Sequence, residues 1–316
     1  MPVTLAQAAQ NTTDAVDLSI INELRTSTLM DALIFDDAVN PAGGGATLSY
    51  SYRRQVTMSA AHFRALNSEY RPTEATTSRH TVDLKPLGGS FQVDRVLANL
   101  GPAATNEVAF QMTDKINAAK ATFSDAVING DSAVNVDSFD GLSKALTGSS
   151  TEITTAYDWS GTMDQTKGFA VLEALDSVLS VMDGEPTMIL TNKLVIGRIR
   201  AAARMTSMYV REPGPASTYI ERYGGALLVD SGKKAGSGED VIPVTGGTAD
   251  LYAVRVALDG FHGVSTAGRA LIQKWLPDFE SAGAVKTGEV EIGPVAVALK
   301  KTKAAAVARD IRIAAA

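Results

Sequence analysis

The feature that most constrains this chain is a long alternating polar/apolar segment with no obvious core of its own. It spans about residues 46–97 and contains Thr47-Leu48-Ser49-Tyr50-Ser51-Tyr52 and Thr81-Val82-Asp83-Leu84, both with the period of two that marks strands. An amphipathic helix follows Gly101-Pro102, with Val108, Met112, Ile116, Ala119, Phe123 and Val127 three or four residues apart on one face. It stops at Asn129-Gly130-Asp131. A two-stranded ribbon is marginal in water by itself, so this one is expected to find its second face on another molecule. That order points to an assembly protein before any catalytic residue is considered.

Composition narrows the classes further. The 316 residues are 45% hydrophobic and 6% aromatic, enough for a sizeable core in one large domain or two lobes. The absence of cysteine removes disulfides, thiolate metal sites and thiol catalysis. His62, His80 and His262 lie far apart in sequence, and no H-E-x-x-H pair exists. No apolar run approaches the roughly 18–20 residues that span a bilayer. Met1 to Leu18 lacks a basic-then-apolar signal pattern. The expectation is a soluble protein kept in a cytoplasm-like compartment, with no metal, no cofactor and no membrane partner. A net charge of −6 argues against tight binding of phosphate backbones by the whole surface. Residues 300–312 run the other way, with Lys300, Lys301, Lys303, Arg309 and Arg312 against Asp310, and read as a solvated or strand-flanking face.

Residues 1–40 read as an arm containing a helix, with Val16, Ile20, Leu24 and Leu33 as a partial apolar stripe and Thr13 or Asp14 as its cap. Pro41-Ala42-Gly43-Gly44-Gly45 breaks the chain before the strands begin. A polar, charge-mixed tip fills residues 53–80, and Pro86-Leu87-Gly88-Gly89 marks a bend or bulge in the returning strand. Thr162-Met163-Asp164-Gln165 fits a capping box ahead of a second helix faced by Leu172, Leu175, Val178 and Met182. Thr187-Met188-Ile189-Leu190 is a short buried strand. Thr191 is expected to cap a third helix with Leu194, Ile199 and Ala202 inward. Strands follow at Leu251–Val256, Val285–Ile292 and Val295–Leu299, and the end of the chain is expected to continue that last sheet through Ile311 and Ile313. Helices and strands are mixed rather than regularly alternating, so the fold class is α+β.

Catalytic signals are weak. Ser231-Gly232-Lys233-Lys234 with Lys286-Thr287-Gly288 matches the S-x-x-K and K-T-G of serine acyl enzymes, but Ser231 opens a Gly/Lys-rich turn and no S-D-N lies between them. A serine hydrolase using Ser231 is a remote alternative; no catalytic, cofactor-binding or metal residue is assigned. Asp131, Asn135, Asp137 and Asp140 lack the spacing and closing Glu of a calcium loop and read as a turn. Gly43-Gly44-Gly45 has no following Lys-Ser/Thr and reads as a hinge. His62 and His80 fall near the two sides of the arm; two exposed histidines are more often unpaired than a pH-sensitive contact. The candidate contact residues between subunits are Tyr50, Tyr52, Phe63, Arg64, Tyr70 and Arg71, since Tyr and Arg are favoured at interfaces.

The order of elements resembles a tailed-bacteriophage major capsid protein, whose capsid fold encapsulins share. Asn106 through Asn129-Gly130-Asp131, then Phe139-Asp140-Gly141-Leu142, is similar to that family's spine helix and the Gly-containing loop after it. Glu185-Pro186-Thr187-Met188-Ile189-Leu190-Thr191-Asn192 resembles its axial-domain strand leading into a helix at an Asn. Tyr223-Gly224-Gly225-Ala226-Leu227-Leu228-Val229 and Leu251 to Asp259 resemble later strands of the same domain. The likeness covers nearly the whole chain and is one of pattern and order. It implies an N-terminal arm (1–45), an extended β-loop (46–99), a peripheral domain with the spine helix (100–160), an axial domain (161–284) and a return to the peripheral domain (285–316).

The resemblance further implies self-assembly into pentamers and hexamers that close into an icosahedral head around double-stranded DNA. The DNA is enclosed without sequence-specific binding, the particle is the virion, and assembly takes place in the host bacterial cytoplasm. An encapsulin-type nanocompartment shell is the alternative. Some members carry a long scaffolding segment ahead of the arm; here the arm begins almost at Met1, which implies a separate scaffold protein or none, alongside a portal. Others cross-link subunits through a Lys and an Asn. Lys85, the only lysine between Pro41 and Asp114, sits just before Pro86 and away from the tip, so that chemistry is not carried over.

Overall fold

The alternation at either end of the arm produces strands, but they join different sheets. The computed structural model describes residues 29–39, 48–98, 102–207, 211–213, 219–266 and 271–314. The N-terminal apolar stripe at Val16, Ile20 and Leu24, its Thr13/Asp14 cap and the Pro41–Gly45 break lie outside the described residues. The chain runs through α1 (Leu29–Ala32), β1 (Phe35–Val39), β2 (Ser49–Thr57), β3 (Thr76–Asp83) and β4 (Lys85–Asp94) to α2 (Arg95–Ala98) and the long α3 (Pro102–Asn129). After α4 (Leu142–Leu146) and β5 (Glu152–Ile153) come α5 (Gln165–Ser180), β6 (Met188–Thr191), α6 (Lys193–Met205), β7 (Arg211–Pro213), β8 (Tyr219–Tyr223) and β9 (Ala226–Asp230). The last strands are β10 (Thr248–Val254), β11 (Phe261–Thr266), β12 (Ile272–Trp275), β13 (Val285–Leu299) and β14 (Ala305–Arg312).

Three sheets result. β2 and β3 pair only with each other. A five-stranded sheet runs β1-β11-β13-β12, with β4 also on β13, and a seven-stranded sheet runs β5-β14-β10-β6-β9-β8-β7. The returning strand β4 therefore belongs to the body, not to the arm. It continues through Pro86-Leu87-Gly88-Gly89, and the irregularity expected there falls on the facing strand: Leu87 pairs with Ile292 and Lys85 with Val295, so β13 carries one extra residue opposite Pro86. Proline has no N–H to give the ladder, which is where a bulge is tolerated. The end of the chain is a second correction. β14, with Ile311, pairs antiparallel with β10 and parallel with β5, in the seven-stranded sheet rather than in the sheet of β13. The sheets do not divide at residue 285, because β11 and β12 already lie in the β13 sheet.

The long helix α3 follows its predicted face. Phe123 and Val127 are fully buried, with Leu84, Phe139, Phe261, Val264 and Ile292 in one core; Met112 meets Phe91, Val93 and Val290 in another, with Val108 and Ile116 packed against it. Burying a side chain such as Phe123 stabilises by roughly 1.5–3 kcal/mol. Helices α5 and α6 cover the seven-stranded sheet through Val171, Leu175, Val178, Val195 and Ile199 against Ile189, Leu251 and Ile311. Their caps sit slightly later than the sequence suggests. Asp164, not Thr162, caps α5 by accepting from the Lys167 amide, and Asn192, not Thr191, caps α6 by accepting from the Val195 amide. Thr191 instead donates to the Asp250 carbonyl at 2.9 Å. The later cap leaves Leu194 on the exposed side of α6 and turns Val195 and Ile196 inward.

Candidate interface at the two-stranded arm

The arm has a base and a free end, and the two differ in chemistry. Strands β2 and β3 pair antiparallel from Ser49↔Asp83 to Gln55↔Thr77, and an extra residue at Val56 precedes the last pair, Thr57↔Thr76. At the base the Leu84 amide donates to the Leu48 carbonyl at 2.7 Å. One face of β2 presents Tyr50, Tyr52 and Arg54 at successive alternate positions, and the chain's own body covers them. The Tyr50 hydroxyl donates to Asp36 Oδ2 at 2.8 Å and the Tyr52 hydroxyl to the Leu299 carbonyl at 2.8 Å. Arg54 donates through Nε to the Lys300 carbonyl at 3.0 Å and through Nη2 to the Leu299 carbonyl at 2.7 Å. On β3, His80 stacks on the Tyr52 ring at 5.7 Å and meets the Ser78 hydroxyl at 3.0 Å.

Burial holds the Tyr50 and Tyr52 hydroxyls above their ordinary pKa, and the Asp36 carboxylate adds to this at Tyr50, so both stay protonated donors. His80 is held below the usual histidine range by burial and by Arg54, which favours its neutral stacked form.

Beyond Arg54 and Ser78 both faces of the ribbon are exposed. The connecting residues 58–75 form no regular element. Large apolar side chains stand in water there: Met58 is 84% exposed, Leu66 91%, Tyr70 65% and Phe63 completely. The Arg64 guanidinium lies over the Tyr70 ring at 5.2 Å. Long irregular loops are uncommon unless functional, and clustered exposed apolar residues mark interaction sites.

The six residues named from sequence therefore divide. Tyr50 and Tyr52 use their side chains inside the chain, as the arm's hinge plate; Phe63, Arg64, Tyr70 and Arg71 face outward. Arg54 and its carbonyl acceptors escaped the sequence reading, although the spacing of Arg54 from Tyr50 and Tyr52 places it on their face. His62 lies in the exposed loop, away from the stacked pair formed by His80 and Tyr52.

A cleft of about 610 Å³ lies between the arm and the loop joining α3 to α4, lined by His80, Asp83, Lys85, Phe139 and Lys144 among others. One of its cations, Lys144, is already engaged: Nζ lies 2.6 Å from Asp131 Oδ1 and 2.9 Å from Asp140 Oδ1. The segment follows the turn reading, with Ala133 N donating to Asp131 and Asp137 N to Asn135. The serine-enzyme pattern is not assembled. Ser231 is buried at the end of β9 in the seven-stranded sheet, whereas Lys286 lies on β13 in the five-stranded one and is held by Ser281 and the Ala282 carbonyl. Gly43–Gly45 lies outside the described residues. Among those described, no helix is long and apolar enough to cross a membrane.

Three of the five cations in the basic cluster near the C-terminus are paired within the chain. Lys300 lies 3.9 Å from Asp36, Lys301 3.3 Å from Asp183, and Arg309 within 3.0 Å of both Glu152 and Asp250.

No family model matches this sequence, and no curated protein matches it. Solved structures match over its full length. A chain of Mycobacterium phage Bobi superposes with a TM-score of 0.61 at 10% identity, covering 100% of both chains. The capsid of a native GTA particle gives 0.60 at 14% identity over 97% of each chain. The holo-SrpI encapsulin complex of Synechococcus elongatus gives 0.59 at 12% identity, covering 99% of this chain and 97% of that one. The chain has the capsid fold shared by tailed phages and encapsulins. Within that capsid fold the element order expected from sequence is present: strand-paired arm, long helix, and two body sheets. At such low identity the capsid fold is preserved by pattern and packing rather than by particular residues.

Proposed function

We propose that this chain is a structural shell subunit, a major capsid protein that assembles with copies of itself into pentamers and hexamers closing an icosahedral head. The observation that carries this reading is the arm. Its base is fixed by Tyr50, Tyr52 and Arg54, while its outer half and the loop bearing Phe63, Arg64, Tyr70 and Arg71 stand uncovered on both faces. A neighbouring copy is the natural cover for such a surface, because in a closed shell every subunit repeats the contact and many modest contacts act together. The mixed charges of the loop set register more than affinity.

The same reading divides the chain into an N-terminal arm, the β-loop, a peripheral domain around α3 and an axial domain around α5 and α6. It places the protein in the virion, assembled in the host bacterial cytoplasm with a separate scaffold protein and a portal. Packaged double-stranded DNA is enclosed without specific binding, which fits the net charge of −6 and the pairing of Lys300, Lys301 and Arg309 with carboxylates. Such a role uses no catalytic residue. The full-length likeness to an encapsulin supports a second reading, a nanocompartment shell holding a cargo protein.

Electron microscopy of the purified protein tests both. Closed shells are expected, and monomers or small oligomers at every concentration would refute the assembly reading. Nucleic acid inside particles from the natural source supports a phage head; a co-purifying enzyme supports the nanocompartment. Replacing residues 60–73 with a two-glycine turn is expected to leave a folded subunit that cannot close shells.

A further inference from the structure

Three groups converge on one carboxylate oxygen beneath the arm. Asp36 Oδ2, on β1, accepts the Tyr50 hydroxyl at 2.8 Å, and lies 3.9 Å from Lys300 Nζ and 4.0 Å from His262 Nε2. His262, on β11, is completely buried, and neither ring nitrogen has a hydrogen-bond partner among the described residues. Its ring meets Tyr50 edge-on at 6.0 Å, and Lys300 Nζ lies 5.4 Å from the centre of the same tyrosine ring. A buried imidazole with both nitrogens unmet is an incomplete arrangement, since buried polar groups are normally satisfied. The carboxylate oxygen 4.0 Å from Nε2 already accepts from Tyr50.

We propose that Asp36 and His262 form a proton-controlled latch on the arm: when His262 takes up a proton, Asp36 Oδ2 turns from Tyr50 to the imidazolium, and the base of β2 loosens. Charge-assisted bonds are roughly twice as strong as neutral ones, so the imidazolium outcompetes the phenol for that oxygen. The groups facing His262 are Asp36 from β1, Tyr50 from β2 and Lys300 from the end of β13. From the β10–β11 turn the backbone of Ala257 and Gly260 approaches. The turn's charged side chains are engaged elsewhere, Arg255 with Asp259 at 3.0 Å and Lys301 with Asp183 and Asp259. Tyr52, Arg54 and His80 lie one step further along the arm.

The direction follows from linkage. Burial, and then the Lys300 ammonium, hold His262 below the ordinary histidine range, against the pull of Asp36 and the adjacent backbone. A histidine depressed in the folded chain binds its proton more readily once released, so the closed arm is fully favoured above about pH 6.5 and loses that advantage as pH falls. The latch belongs to a single chain, so it stands or fails independently of whether the arm meets another copy.

Hydrogen exchange of the full-length protein, corrected for intrinsic rates and read on residues 49–57, tests it at about pH 7.5 and 5. The wild type is expected to lose roughly tenfold protection at the lower pH. His262→Gln is expected to lose clearly less protection in acid than the wild type, and His80→Gln, whose own imidazole is also held low, to keep the part of the response that His262 supplies. Tyr50→Phe removes the contested hydroxyl and is expected to exchange at neutral pH as the wild type does in acid. Equal protection of the wild type at both pH values overturns the latch, as does an undiminished acid response in His262→Gln. Should His262→Gln not fold, the wild type and Tyr50→Phe decide, and wild-type protection in Tyr50→Phe at neutral pH overturns it.

Discussion

The Gly141 amide donates to the Gly130 carbonyl at 2.8 Å, which ties both ends of the loop between α3 and α4 together. Gly130 in turn donates to Ala126 at 2.9 Å, ending α3. Neither glycine has a positive φ; both are needed because the backbone approaches too closely for a side chain. A Cβ on Gly130 collides with the Phe139 and Ala126 carbonyls, and one on Gly141 lies 2.6 Å from the Ala126 carbonyl. Gly130→Ala and Gly141→Ala are each expected to destabilise by about 2–3 kcal/mol through overpacking. Gly197→Ala is the control: it lies inside α6 with nothing near its Cβ position, and a gain of about 0.5–1 kcal/mol is expected. Chemical denaturation of the three variants measures the contrast.

Phe123 sits wholly buried between Phe35 and Phe139, with ring centres 5.9 and 5.8 Å away. Phe123→Ala is expected to cost about 3–5 kcal/mol, a large part of a domain's stability. Phe123→Asp adds an unpaired buried charge and is expected to abolish soluble protein. Normal soluble yield of Phe123→Asp would show that α3 is not a packed element.

Arg309, on β14, ties β5 and β10 of the seven-stranded sheet to the helix α4. Its guanidinium donates to Glu152 at 3.0 Å, to Asp250 at 2.9 Å and to the Ser143 carbonyl at 2.9 Å. Arg309→Ala leaves two partly buried carboxylates without their cation, and a loss of about 3 kcal/mol is expected in thermal denaturation. Arg309→Lys is expected to recover little, because a point charge cannot reach Glu152, Asp250 and Ser143 together.

Lys144 gives the loop after α3 its acid dependence. Its hydrogen bond to Asp131 is the largest cause holding that carboxyl below its ordinary range. Asp140 is also held low, by hydrogen bonds from Ser132 and Lys144 that outweigh its burial. A carboxyl depressed in the folded chain stabilises above its unfolded pKa and ceases to as pH falls through the folded one. Lys144→Met is therefore expected to be less stable than wild type at neutral pH. That difference should begin to shrink as pH falls below the ordinary aspartate value of about 3.9 and go on shrinking as the two depressed carboxyls take up protons. A difference that stays constant into acid would remove the ion pairs from the account.

Weak nucleic-acid binding follows from the net charge of −6 and from the pairing of Lys300, Lys301 and Arg309 with carboxylates. Any affinity of the purified subunit for double-stranded DNA is expected to vanish between about 50 and 200 mM salt, as for a few phosphate contacts. Replacing Lys300, Lys301 and Lys303 with Ala is expected to change filter binding little; tight, salt-resistant binding abolished by that triple change would contradict it.

Local patterns were legible in the sequence where one face repeats against one partner. The 3.6-residue spacing of Met112, Ala119, Phe123 and Val127 needs only a core on one side, and α3 follows it to within a residue at each end. Alternation in residues 46–97 is equally visible, but alternation does not say which strand lies alongside, so β4 looked like part of the arm while pairing with β13. The sheet of the C-terminal strand is hidden for the same reason, its partners β10 and β5 being distant in sequence. Caps slipped by one or two residues because Thr, Asp and Asn in a row all satisfy the same rule, and only the backbone conformation selects among them. At the arm, tyrosines suggested contact between molecules. Within the chain their hydroxyls meet a carboxylate on β1 and the main-chain carbonyl of the last residue of β13, partners that leave no trace in composition.

The joint of the arm is built from unequal halves. Tyr52 and Arg54 supply donors through their side chains, while Leu299 and Lys300 answer with main-chain carbonyls. A carbonyl survives any substitution at its residue, so drift at positions 299 and 300 leaves these bonds available, whereas loss of either donor on β2 breaks them. The tilt of the arm is thus heritable through very few side chains. Most of the sequence around that joint can change while these bonds hold the arm at one angle to the body.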